Sequence, residues 1–227
     1  MAVRILLLIF LLLNPLLVFA GSQQTSSTLG SEMISDARAD YGDSTTTYFS
    51  AAEMLQYLND GMLEIASKTH CMEQTESVNL VADTLEYSIT TNYIKIIHVV
   101  YNPASGVSKG LQRGDVRHVG KVQGSAFSDS TVPSFWYEFN GKIGIYPTLS
   151  SVTTETATLY IAERPTSITA GQNITLPAIY DNALKAYILY RMSLKDKNME
   201  LASRYKTQYE VELGIYRVDL QGDNENK

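Results

Sequence analysis

Across residues 51–68 apolar side chains return every three or four positions, with Met54, Leu55, Leu58, Met62, Ile65 and Ala66 on one side of a 3.6-residue spiral. This spacing predicts an amphipathic helix. Its start is marked too: Ser50 followed by Glu53 is a capping box, and Phe49 and Met54 stand at the positions of a hydrophobic staple. From Glu76 to about Thr166 the period falls to two. Val78 and Leu80, then Ile94, Ile96 and the run Ile97 to Val100, predict short strands. The clearest hairpin is PSFWYEFNGKIGIYP, residues 133–147. Phe135, Tyr137 and Phe139 share one face, Asn140 and Gly141 supply the two residues of a type I′ turn, and Ile143 and Ile145 continue beyond it. ATLYIAERP, residues 157–165, predicts the last strand, ended by Pro165. Residues 102–132 are rich in Gly, Ser and Asp and read as long connections or a loop, with one strand around Val116 to Val122.

Helical spacing resumes in LPAIYDNALKAYILYRMSLKD, residues 176–196, where Pro177 suits a first helical turn. Ile179, Ala183, Ala186, Tyr187, Tyr190 and Leu194 form a stripe that Leu184 and Ile188 widen, which predicts a helix covered on more than one side. Tyr180 lies off the stripe, where its phenol would cap or bridge. A second helix follows through Met199, Ala202, Tyr205, Tyr209 and Leu213, with a turn around Lys195 to Asn198. The fold class is therefore α+β: a helical bundle with a β-rich subdomain inserted between the N-terminal helix and a C-terminal helical hairpin. The expected boundaries are a hydrophobic leader at 1–20, a polar linker and short helix at 21–48, and a bundle helix at 49–75. An inserted β-rich subdomain at 76–168, the hairpin at 169–214 and a polar tail at 215–227 complete them.

Composition narrows the function. The 227-residue chain carries 18 Lys and Arg against 24 Asp and Glu, a formal charge of -6, with no dense basic window. Specific nucleic-acid binding needs a concentrated basic face and is disfavoured. Cys71 is the single cysteine, which excludes an intrachain disulfide and a Cys-based zinc site, and the three histidines, His70, His98 and His118, stand at no metal-ligand spacing. No metal or cofactor is expected. MAVRILLLIFLLLNPLLVFA at the start has the basic, apolar and small-residue order of a secretory signal peptide. The alternatives are a true start at Met33 or a retained hydrophobic arm.

No nucleophile elbow, phosphate loop, dinucleotide fingerprint or H-E-x-x-H is present. His98 within IIHVV reads as a satisfied strand residue, and His70 beside Cys71 as a helix-terminal pair rather than a reactive thiol. Trp136, Tyr137 and Tyr146 of the hairpin admit two readings: stacking on a glycan or surface ligand, or an aromatic face packed on the bundle.

FSAAEMLQYLNDGMLEIA (49–66), YIKIIHVVYN (93–102), KIGIYPTLS (142–150), IAERP (161–165) and above all residues 176–196 resemble, in their order, the bacteriophage adaptors that join the portal of the head to the tail. The resemblance implies a non-catalytic virion neck protein, assembled in the host cytoplasm as a homo-oligomer, a dodecameric ring. It implies the portal protein and tail or nozzle proteins as partners, with DNA passing through the lumen. The candidate assembly contacts are Tyr205, Tyr209, Tyr216, Trp136 and Tyr137. The segment from Tyr205 onward is expected to face the portal and the loop 104–132 the tail. An exported binding protein, secreted or periplasmic and using the aromatic hairpin, is the competing reading.

Overall fold

The computed structural model describes residues 24–43, 48–115, 132–149 and 154–222, with side chains through Gly214. The leader 1–20, the strand expected around Val116 to Val122 and the last five residues lie outside the described residues. The described elements are α and β together. The chain divides into two compact units, Met1–Gly61 with Ser167–Lys227, and Met62–Thr166.

In the first unit, α1 spans Gly30–Tyr41, α2 begins there as part of Ala51–Thr69, and α3 (Asp181–Lys195) and α4 (Met199–Gly222) form an antiparallel pair. Ser50 caps α2: its hydroxyl accepts the Glu53 N–H at 3.2 Å, a contact of about 1 kcal/mol. Phe49 and Met54 are both buried. At Gly61 a Cβ would come within 2.7 Å of Leu184 and of Tyr187, so the missing side chain lets α2 lie close to α3. Pro177 precedes a short 3-10 turn, Ala178–Tyr180, and the α-helix proper starts one turn later than its position suggests. Ala183, Leu184, Ala186, Tyr187, Ile188, Leu189 and Met192 of α3 are buried, the broad coverage that its wide stripe predicts. Tyr180 is buried as well, although it lies off that stripe.

Two readings need correction here. The stretch before α1 does not behave as a linker. Its backbone runs antiparallel to residues 170–178, with hydrogen bonds from Ser26 to Leu176, Ala178 to Gln24, Ile174 to Thr28, Gly30 to Gln172 and Ser31 to Ala170. The last two satisfy N–H groups that the first turn of α1 would otherwise leave unpaired. The Ser26 and Thr28 hydroxyls donate to one carboxylate oxygen of Asp181 at 2.8 and 3.1 Å. Met33 is a buried residue inside α1, so a chain starting there would lose this whole strap. At the other end, α4 continues to Gly222, well into the stretch read as a polar tail.

The second unit begins within α2 and, among the described residues, holds eight strands: β1 (Glu73–Asn79), β2 (Glu86–Ser88), β3 (Tyr93–Asn102), β4 (Lys109–Gly110), β5 (Gln112–Arg113), β6 (Phe135–Phe139), β7 (Lys142–Tyr146) and β8 (Thr156–Glu163). They form two four-stranded sheets, β1-β8-β3-β4 and β2-β7-β6-β5. One buried cluster draws from both: Val78, Ile96, Val99, Leu159 and Ile161 from the first, Trp136, Ile143 and Ile145 from the second. That is a two-layer sandwich. The run around Ile94 to Val100 is a single ten-residue strand with register shifts between Tyr93 and Lys95 and between Ile96 and His98, not two short ones. The tight turn is as predicted: Asn140 and Gly141 both have positive φ, 51° and 70°. β4 and β5 lie at the start of the segment read as a loop, and β5 pairs in parallel with β6.

Candidate functional site

The helical unit carries its polar groups as a clasp between α2 and α3. Glu53, Tyr57 and Asp60 recur on one side of α2, and Tyr187, Arg191 and Lys195 at four-residue spacing on α3. Lys195 donates to Glu53 and, at 2.7 Å, to the Tyr48 carbonyl, while the Tyr57 hydroxyl donates to Glu53 at 2.7 Å. Arg191 donates to the Tyr187 hydroxyl at 2.8 Å, stands 3.4 Å from the Asp60 carboxylate and lies over the Tyr57 ring at 4.9 Å. The Lys195 ammonium, with help from the Tyr57 hydroxyl, holds the Glu53 carboxyl below its ordinary range. Burial, then the Glu53 carboxylate, pushes the Tyr57 phenol up. The Glu53 and Tyr57 shifts both run away from neutrality and hold those two groups in their resting charge states, which suits a rigid joint.

α4 differs from its partner. Only Ala202, Tyr209 and Leu213 are buried among its described side chains, along one narrow stripe toward α3. The Tyr209 ring packs on Tyr187 at 5.5 Å, so this phenol is scaffold. Met199 at 66% and Val211 at 55% exposure lie on the open side. α4 has 24 residues and α3 has 15; at about 1.5 Å per residue the longer helix overruns the shorter by roughly 13 Å. Beside the stripe, α1, α3 and α4 enclose an open polar groove of about 460 Å³ lined by Asp40, Asn182, Lys185, Tyr205, Gln208 and Glu212 among others. Lys185 bridges to Asp40 at 2.7 Å across its floor. Tyr205 is half-buried there. The Tyr216 side chain lies outside the described residues.

The remaining two candidates are not at the surface. Trp136 is 2% exposed and packs into the interior of the sandwich, with Arg113 over its ring at 5.2 Å. Tyr137, also 2% exposed, lies across Gly144 on the neighbouring strand, where a Cβ would sit 2.1 Å from its ring. Its hydroxyl reaches Glu86 at 3.3 Å, and burial with this carboxylate pushes the phenol up to about 12. Tyr146 is buried beside it. The glycan-stacking reading therefore loses all three of its residues. The hairpin's aromatics pack within their own unit, and the cause is the alternation of the strand: Trp136 and Tyr137 point to opposite faces and each finds cover. Exposed instead are Phe135 and Phe139.

Two smaller readings hold. His98 is an exposed β3 residue whose ring lies near Tyr160 of β8. Cys71 is buried, and burial pushes its thiol up, away from reactivity. Among the described residues no group of three or more His, Cys, Asp or Glu is placed to hold a metal. No described helix is long and apolar enough to cross a membrane. What sequence reasoning missed is the groove: Asp40, Lys185, Gln208 and Glu212 carry no motif. The narrow stripe of α4 was the available signal for its open face.

No curated protein matches the chain. The family model of the SU10 adaptor protein matches residues 28–226, from the strap before α1 to the end of α4 and beyond. It includes every described element of both units. The chain belongs to the SU10 adaptor protein family, a family of bacteriophage head-to-tail adaptors.

Proposed function

We propose that this protein is a non-catalytic structural component of the virion neck. It forms a closed ring that docks on the portal protein and connects it to tail or nozzle proteins, with DNA passing through the lumen. The ring is read as a dodecamer on the strength of the family. The architecture behind this reading is a helical bundle, α1 to α4, with the β sandwich inserted in it. The observation that carries it is α4, whose described side chains are packed along one narrow stripe and open elsewhere, with Met199 and Val211 exposed. A ring needs contacts between two unlike surfaces of neighbouring copies. The open side of α4 and the polar groove containing Tyr205 are proposed as one such pair, and the overrunning end of α4 as the portal contact. Interfaces of this kind draw their energy from area and fit, with no need of a pocket.

Two measurements test it together. Negative-stain images of the purified full chain should show rings. Removing residues 214–227 should abolish co-sedimentation with purified portal rings while the shortened protein keeps its helical circular dichroism. Undiminished co-sedimentation would overturn the portal contact, and monomers at all concentrations, with and without portal, would overturn the ring.

A further inference from the structure

Among the described residues the sandwich has four edge strands, and one is unlike the others. β3, which β4 pairs only at Val100 and Tyr101, is open over residues 93–98 as well, but two register shifts and the exposed Lys95 interrupt it there. β2, β4 and β5 are three, two and two residues long, too short to template another strand. β1 is seven residues long and pairs with β8 in unbroken register from Glu73 to Asn79. It contains no proline, bulge or lysine, the devices that normally blunt an exposed edge.

Its outward groups follow from the ladder. The Glu163 N–H donates to the Met72 carbonyl and the Leu80 N–H to the Glu155 carbonyl, so with alternating antiparallel pairs the even-numbered positions bond to β8. The N–H and C=O groups of Glu73, Thr75, Ser77 and Asn79 therefore point away from the sheet. Among the described residues, no backbone hydrogen bond reaches them. All four side chains are exposed. Glu76, the charge on the inward side, is turned onto Thr90 and Thr91, whose N–H groups donate to its carboxylate at 2.8 and 3.0 Å. It does not guard the edge.

We propose that the outward edge of β1 is a β-augmentation site in the assembled particle. It takes one extended segment of a different virion protein, with hydroxyl or β-branched side chains along the edge and a Lys or Arg beside Glu73. Backbone pairing supplies the binding, and the acidic end sets the direction. The Glu73 carboxylate stands exposed at this end of the edge, on the same face as Ala162, and favours a cation. A second copy's β1 is the poorer occupant: two-fold pairing of identical edges closes a dimer, whereas a ring needs a contact between unlike surfaces. This inference rests on the adaptor reading.

Amide exchange followed by mass spectrometry, on the purified full chain and on purified virions, tests it. Peptides covering residues 73–79 should exchange freely at the outward amides in the purified protein and slow by about tenfold or more in virions. Ser77→Pro removes an outward N–H without touching a β8 bond, so the free protein should keep its melting temperature while its virions lose that protection. Thr75→Lys provides the same block without proline. Equal exchange in virions and free protein would overturn the proposal, and so would equal protection in the purified chain or its own rings, which would make the occupant a second copy. Absence of the chain from virions would overturn the adaptor reading and this proposal with it.

Discussion

The helical unit and the β sandwich solve the same problem, joining separate elements, with different chemistry. The helices are clasped at their margins by charge and phenol: Glu53 with Lys195, Asp60 with Arg191, Asp40 with Lys185. The sandwich is held by an apolar interior, and its half-buried carboxylate pin, Glu76, is met by the N–H and O–H donors of Thr90 and Thr91. The difference teaches where each unit can afford to stay open. A helix such as α4 has its backbone satisfied internally and exposes only side chains. A sheet leaves an unpaired backbone edge wherever a strand has one neighbour.

The comparison is broken most severely in the interior of the sandwich. Leu159, fully buried in β8, should cost about 2–5 kcal/mol when truncated to alanine. The loss should appear as a lower urea midpoint, with exchange accelerating across β1, β3 and β8. If the peptides of α3 and α4 accelerate equally, the two units unfold as one, and the contrast drawn here does not extend to stability.

Next come the two glycines that allow close approach, one in each unit. Gly61→Ala would set a methyl 2.7 Å from Leu184 and Tyr187, and Gly144→Ala one 2.1 Å from the Tyr137 ring. Each should destabilise by roughly 1–3 kcal/mol through overpacking, with Gly144→Ala the larger because the buried Tyr137 ring has nowhere to swing. Thermal melts of the two variants rank them, and a milder effect at Gly144 would mean that the ring relocates.

The smallest effect is the most discriminating. The Glu53 and Glu76 carboxyls are both lowered in the folded protein, Glu53 by Lys195 first, and Glu76 by the Thr90 and Thr91 donors acting against its burial. A lowered carboxyl contributes stability above its unfolded value, and that stability is lost as pH falls through the folded value. Both units should therefore weaken below about pH 4.5. Salt should separate them, because about 1 M salt weakens a part-buried ion pair such as Glu53–Lys195 more than it weakens a carboxylate held by N–H and O–H donors. Glu53→Gln should cost under about 1 kcal/mol at pH 7 and reduce the salt dependence of the helical unit, part of which Asp60–Arg191 and Asp40–Lys185 retain; Glu76→Gln should leave salt dependence unchanged. Equal salt sensitivity in both variants would erase the distinction.

Much of the fold was legible in the chain because local physics dominates there. The spacing from Met54 to Ala66 and the Ser50 cap located α2, and Asn140-Gly141 located the hairpin turn, since few residues tolerate positive φ. The candidate contacts were less legible. Tyr205 does line an open groove, but Tyr209, Trp136 and Tyr137 are interior, because an aromatic residue reads the same in sequence whether it is bait for a partner or cover for a neighbour. Tyr137 is buried by Gly144, seven residues and one strand away in register, and nothing local announces that pairing.

The sequence by itself determined the α+β class, the order of the elements, the wide burial of α3 and, through the order of its segments, the adaptor family. Each follows from periodicity, capping and turn chemistry within a short window. Only the tertiary structure decided that residues 24–31 strap onto 170–178, that α4 is covered along a single stripe, and that β1 is left as the long open edge. These depend on which distant backbone or side chain arrives opposite a given position, and a window of sequence does not contain its own partner.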